Sequence, residues 1–111
     1  MTAAFNLNLL ARVNRELAAD FNLRGFDHVV RYHRQVQRIE MHLRSRAHQT
    51  VKIRGADLVV SFVPGETIWT EACYKFRQER ICGIAGAAGF RLAAQWVDAK
   101  WPFAESLLVA I

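Results

Sequence analysis

The stretch Arg38-Ile39-Glu40-Met41-His42-Leu43-Arg44 decides the fold, because its polarity alternates without a break. A period of two is the signature of a half-buried strand. It sends Ile39, Met41 and Leu43 one way and Arg38, Glu40, His42 and Arg44 the other. Working outward, Val29-Val30 with Tyr32 suggests a strand before it, and Val51 with Ile53 a short one after it. Gly55-Ala56-Asp57 turns the chain into Leu58-Val59-Val60-Ser61-Phe62, and Pro64-Gly65 turns it again into a strand from Thr67 to Cys73. Read in order, these strands form an antiparallel meander with one polar face.

Helical spacing flanks the meander. Over residues 3–19, Phe5, Leu9, Val13 and Leu17 recur every four positions and Leu10 widens the stripe, with Thr2 as the expected N-cap. The Asp20 to Gly25 stretch reads as a loop. Residues 77–88 put Ile81, Ile84, Ala85 and Ala88 on one side of a second helix, which Gly83 and Gly86 each weaken by about 1 kcal/mol relative to Ala. Gly89 fits its C-terminal cap, and strands from Phe90 to Val97 and Phe103 to Ala110 close the chain. Leu107-Leu108-Val109 has the continuous apolar character of a strand covered on both faces. The class is α+β, and the last strand asks for neighbours that these residues do not obviously supply.

With 111 residues, 52% of them hydrophobic, the chain can bury a core without a metal or disulfide staple. No apolar run approaches the ~20 residues that span a bilayer, so no membrane partner is expected. The N-terminus lacks the basic flank and apolar centre of a secretory signal, which favours the cytoplasm. Cys73 and Cys82 read as reduced thiols. The net charge of +5 is scattered from Arg12 to Lys100 without a zinc-finger, RNP or helix-turn-helix pattern. That supports weak nonspecific contact with nucleic acid and no specific complex.

Chemistry-bearing patterns are few. His28, His33, His42 and His48 have no metal-ligand spacing, and His42 on its charged strand face reads as a solvated surface histidine. Gly83, Gly86 and Gly89 do not follow a strand or open a helix, so they make no phosphate loop. The sequence offers no nucleophile–base pair. Trp69, Glu71 and Cys73 alternate along one strand and are expected to share a face, with Trp69 as an apolar wall. A carboxylate on an apolar face needs a partner. From spacing alone a structural Arg is favoured, and the cation of a ligand is the alternative.

Longer strings carry a resemblance. Phe5-Asn6-Leu7-Asn8-Leu9-Leu10-Ala11-Arg12-Val13-Asn14-Arg15-Glu16-Leu17 resembles the FN-x-N-LL-x-R-x-N-x-EL helix of the histidine-specific, S-adenosylmethionine-dependent methyltransferases. Arg38-Ile39-Glu40-Met41-His42-Leu43 resembles that family's RIEMHL strand. Gly65-Glu66-Thr67-Ile68-Trp69-Thr70-Glu71, leading into Tyr74-Lys75-Phe76, is similar to its GE-x-I-x-TE-x-S-x-KF segment. With Trp96-Val97-Asp98 and Phe103-Ala104, the resemblance covers nearly the whole chain.

The resemblance implies a function. The best-known members trimethylate the α-amino group of L-histidine, the first step of ergothioneine biosynthesis, and relatives methylate a prenylated tryptophan. By this resemblance Glu71 accepts a hydrogen bond from the substrate imidazole, Met41 lines the same pocket, and Thr2 and Phe5 lie near the substrate. The family serine two residues after the glutamate is Cys73 here, a weaker hydrogen-bond partner. The resemblance places residues 1–75 in a substrate-recognition domain and residues 76–111 in the closing helix and hairpin of a class I, Rossmann-like methyltransferase sheet. It places the S-adenosylmethionine site upstream, with the asparagine and tyrosines that hold the amino acid's amine and carboxylate. The chain is then expected to be a truncated or split gene product, the product of a miscalled start, or half of a two-chain enzyme, and inactive in isolation. The competing class is a noncatalytic binding module or partner subunit for a separate N-terminal chain.

Overall fold

The computed structural model describes residues 2–111. The chain divides into two compact units, Met1–Tyr74 and Lys75–Ile111.

In the first unit, helix α1 (Thr2–Leu17) is followed by a 3-10 turn and strand β1 (Phe26–His33). Strands β2 (Arg38–Ser45), β3 (Gln49–Ile53), β4 (Leu58–Phe62) and β5 (Thr67–Tyr74) complete it. The expected meander is not a single sheet. β1, β2 and β5 form one antiparallel sheet in that order, and β3 and β4 pair only with each other. The β3–β4 hairpin is thus an excursion between two strands that are neighbours in space. Its backbone is tethered to the end of α1: Asp20 N–H donates to the Lys52 carbonyl, and Lys52 N–H donates to Asp20 Oδ1. A Cβ at Gly55 would stand 2.8 Å from the Leu17 carbonyl oxygen, so a larger residue there would force the hairpin off the helix end.

The core lies where the hairpin, α1 and the sheet meet. Leu10, Phe21, Phe26, Leu43, Val51 and Phe62 form it. Phe26 and Phe62 meet edge to face at 5.4 Å, a favoured aromatic geometry. Asn14 clamps the chain after α1 by donating to the Phe21 carbonyl and accepting from Phe21 N–H.

Two expectations for α1 change. Its buried stripe runs through Asn6 and Leu10, whereas Phe5 and Leu17 are exposed. The stripe is displaced by one position because a polar residue, Asn6, occupies the inward site and finds partners there. Thr2 is the first helical residue, not the cap, so the cap position falls outside the described residues.

In the second unit, α2 (Gln78–Ala87) precedes an antiparallel hairpin of β6 (Phe90–Val97) and β7 (Ala104–Ala110). Gly89 adopts φ +84° just beyond α2, the left-handed conformation that ends helices and that glycine takes without strain. β7 is exposed along its whole length, so the neighbours that its continuous apolar run asks for are not among the described residues. No helix among the described residues is long and apolar enough to cross a membrane.

Candidate functional site

Cross-strand register fixes which side chains meet. Across the first sheet, Val30 of β1, Met41 of β2 and Glu71 of β5 lie in one row. Tyr32, Ile39 and Cys73 form the next row. Directly opposed residues in antiparallel strands share a face, so these six project from one side. It is the side on which Leu43 enters the core and His28 meets α1. Val30, Tyr32, Glu71 and Cys73 are exposed while Met41 and Ile39 are half-buried, which makes an open, largely apolar floor.

Glu71 is the acidic group on that floor. Among the described residues its carboxylate makes no ion pair, so the structural-arginine expectation is not what the structure shows. An exposed carboxylate is solvated by water and needs no internal cation.

The N-terminal turn of α1 meets the sheet beside this floor through buried Asn6, 2% exposed. Asn6 Nδ2 donates to His28 Nδ1 at 2.9 Å and to the His42 carbonyl at 3.2 Å. Thr70 Oγ1 lies 2.6 Å from Asn6 Oδ1 and 3.0 Å from the Met41 carbonyl, sharing its proton between them. Thr2 and Phe5 precede Asn6 by four residues and one on the same helical turn, and both are exposed, Phe5 by 66%. The structure therefore brings Met41, Glu71 and Cys73 onto one face and sets Thr2 and Phe5 on the helix end that Asn6 docks.

Trp69 departs from its expected face. Met41 pairs with Glu71 but His42 pairs with Trp69, leaving Thr70 as an extra residue in β5. Such a bulge breaks the period of two. Trp69 consequently lies on the opposite face from Glu71 and Cys73, with its ring 6.2 Å from His42 and nearly parallel to it.

That far face holds a polar cluster that periodicity misassigned to solvent. Glu40 is 4% and His42 6% exposed. Glu40 accepts from Arg38 Nε at 2.6 Å and from His42 Nε2 at 2.8 Å, and His33 stands 3.4 Å away. The hydrogen bond from His42, and then that from Arg38, hold the Glu40 carboxyl below its ordinary value against the opposing effect of burial. His42 Nδ1 reaches Thr67 Oγ1 at 3.1 Å, and the Arg38 guanidinium lies over the Trp69 ring at 4.8 Å and donates to Tyr74 Oη. Asn6, Thr70, Glu40 and His42 are the residues that alternation alone did not single out. The signal for Asn6 was an amide inside an apolar stripe. The others carried no signal beyond their strands.

Among the described residues neither unit presents a cradle for a nucleoside sulfonium. Gly83 and Gly86 sit inside α2 and Gly89 ends it, so no glycine-rich turn runs from a strand into a helix N-terminus. Among the described residues no group of three His, Cys, Asp or Glu side chains is placed to hold a metal ion, and neither cysteine is in a disulfide.

A family model described as histidine-specific methyltransferase, SAM-dependent, matches residues 1–110. The chain is 46% identical over 109 residues to a histidine N-alpha-methyltransferase of Mycolicibacterium smegmatis, covering 98% of this chain and 34% of that protein. It is 42% identical over 107 residues to a histidine N-alpha-methyltransferase of Mycobacterium tuberculosis, covering 96% of this chain and 33% of that protein. The chain spans about a third of the length of the curated relatives it matches.

Proposed function

The chain belongs to the histidine-specific, S-adenosylmethionine-dependent methyltransferase family, and on that premise we propose that it forms part of the histidine-binding pocket of an L-histidine Nα-methyltransferase. The observation that carries this reading is the placement of Glu71, a carboxylate with no ion pair among the described residues, opposite Met41 on an apolar floor. A carboxylate there accepts a hydrogen bond from an imidazole N–H, and the bond is charge-assisted. It discriminates against an apolar ring, which would cover the carboxylate and leave it without a partner. Met41 lends a flexible, polarizable surface to a planar ring. Cys73 lies two residues beyond Glu71, next to it on the same face, and offers a weaker hydrogen-bonding group than a hydroxyl. Thr2 and Phe5 border the substrate from the helix end.

The residues of this chain do not fit the S-adenosylmethionine site, which we assign to residues outside these 111. Residues 1–75 serve substrate recognition, and residues 76–111 complete the methyltransferase sheet. The reaction is cytoplasmic methylation of the amine that begins ergothioneine biosynthesis. These 111 residues contribute orientation: a ring gripped at its edge presents the amine in a fixed direction.

The test is a chimera in which this chain replaces the matching third of the Mycolicibacterium smegmatis relative. With S-adenosylmethionine and L-histidine it is expected to yield Nα-methylated histidine by mass spectrometry. A chimera with the relative's melting temperature and no such product refutes the reading.

A further inference from the structure

The bulge in β5 is gripped from both faces of the sheet. On the near face Thr70 Oγ1 holds Asn6 and the Met41 carbonyl. On the far face the Trp69 indole Nε1–H donates to the Glu71 carbonyl at 2.9 Å, reaching along its own strand to the backbone of the residue whose carboxylate lies on the other side. Trp69 is half exposed, so its rotamer is set less by burial than by its neighbours: the His42 ring beside it and the Arg38 guanidinium over it. Both neighbours are fixed by hydrogen bonds to one buried carboxylate, Glu40. An extra residue disrupts the ladder locally, bends the strand and re-aims the side chains beside it. Here a side-chain hydrogen bond ties that peptide down.

We propose that Trp69 is a positioning residue for substrate recognition: held by the Arg38–Glu40–His42 cluster on the far face, it fixes the backbone of Glu71 and so aims the carboxylate across the near face. The assignment rests on the reading of Glu71 as the imidazole acceptor. It gives the far side of the strand a role in specificity although no residue there touches the ligand. Rigid support of this kind separates a precise site from one that is merely present.

The 111-residue chain, labelled with carbon-13 and nitrogen-15 and weakly aligned, provides the test. Trp69→Phe keeps a six-membered ring beside His42 and under Arg38 and removes the N–H donor together with the pyrrole part of the indole. One-bond Cα–Hα residual dipolar couplings are expected to change at Thr70, Glu71 and Ala72 and to keep their values in β1 and the rest of β2, with little change in melting temperature. Titrating the same variants of the chimera with L-histidine is expected to show about three- to tenfold weaker binding in Trp69→Phe, the size of one lost hydrogen bond. Glu71→Gln should show at least that loss, and adding Trp69→Phe to Glu71→Gln should change nothing more. Unchanged couplings at Glu71, or a Trp69→Phe penalty that persists in the Glu71→Gln background, would overturn the proposal. Changes spread through the sheet with an early melt would make Trp69 an ordinary packing residue and overturn it as well. Histidine binding that ignores Glu71→Gln defeats the site reading instead, while the couplings still decide whether Trp69 sets the Glu71 backbone.

Discussion

At the scale of single residues, Glu40 and Glu71 show how strand neighbours of one charge type come to opposite uses. Glu40 is enclosed by Arg38 and His42, and Glu71 stands open on the other face. The Glu40 carboxyl is held below its ordinary value of 4.5, principally by the hydrogen bond from His42. A carboxyl with a depressed folded-state value stabilises the fold fully above 4.5 and loses that contribution as pH falls through the lower folded value. Urea melts between about pH 3 and pH 7 should therefore show stability declining on the acid side, and Glu40→Gln should flatten that decline. A decline of the same size in Glu40→Gln would place its cause elsewhere. Cys73→Ser restores a hydroxyl beside Glu71 and should tighten histidine binding in the chimera by about two- to fivefold in KM, a fraction of one hydrogen bond. Alternation in Arg38–Arg44 made the two faces of β2 legible in the sequence, whereas the burial of Glu40 and His42 was not. A pattern of polarity says which residues face together, but a buried charged pair and a solvated one have the same pattern.

At the scale of elements, a buried amide joins Leu10 in docking α1 on the sheet. Asn6 uses both ends of its side chain, toward His28, the His42 carbonyl and Thr70, in a place where a leucine would satisfy helical periodicity. Asn6→Ala leaves those groups buried without their partner and should cost about 1–3 kcal/mol. Chemical denaturation would measure it, and a change below about 0.5 kcal/mol, the usual range for surface substitutions, would deny Asn6 this role. The helices, turns and strand positions could be read from spacing because they are local. The pairing of β5 with β2 and the extra residue at Thr70 could not, since both depend on contacts made across more than twenty residues of intervening chain. The misplacement of Trp69 follows directly: one unrecognised bulge inverts every side chain before it relative to those after it.

At the scale of the whole molecule, the two units differ in how much they bury. Among the described residues the first encloses a core of Leu10, Phe21, Phe26, Leu43, Val51 and Phe62, whereas in the second only Ala85 is buried and β7 lies open. Trp96, Trp101, Phe103, Leu107, Leu108 and Val109 are all exposed there. Amide hydrogens of β6 and β7 should exchange faster than those of β2, because sparse burial lowers the cost of local opening. Equal protection in mass-spectrometric exchange would contradict this. The 111-residue chain should show no heat of binding with S-adenosylmethionine in calorimetry, since the strand–turn–helix cradle is not among its elements, and micromolar binding would overturn the assignment of that site to residues outside this chain. The central claim, that Glu71 selects the imidazole, is tested most directly by steady-state kinetics of the chimera carrying Glu71→Gln, with histidine and tryptophan as competing substrates and thermal melts alongside. Losing the charged acceptor is predicted to lower kcat/KM for histidine by about ten- to a hundredfold, equivalent to about 1.5–3 kcal/mol, with the melting temperature and the tryptophan rate nearly unchanged. An early melt with the histidine preference intact would instead make Glu71 a structural residue and contradict the account.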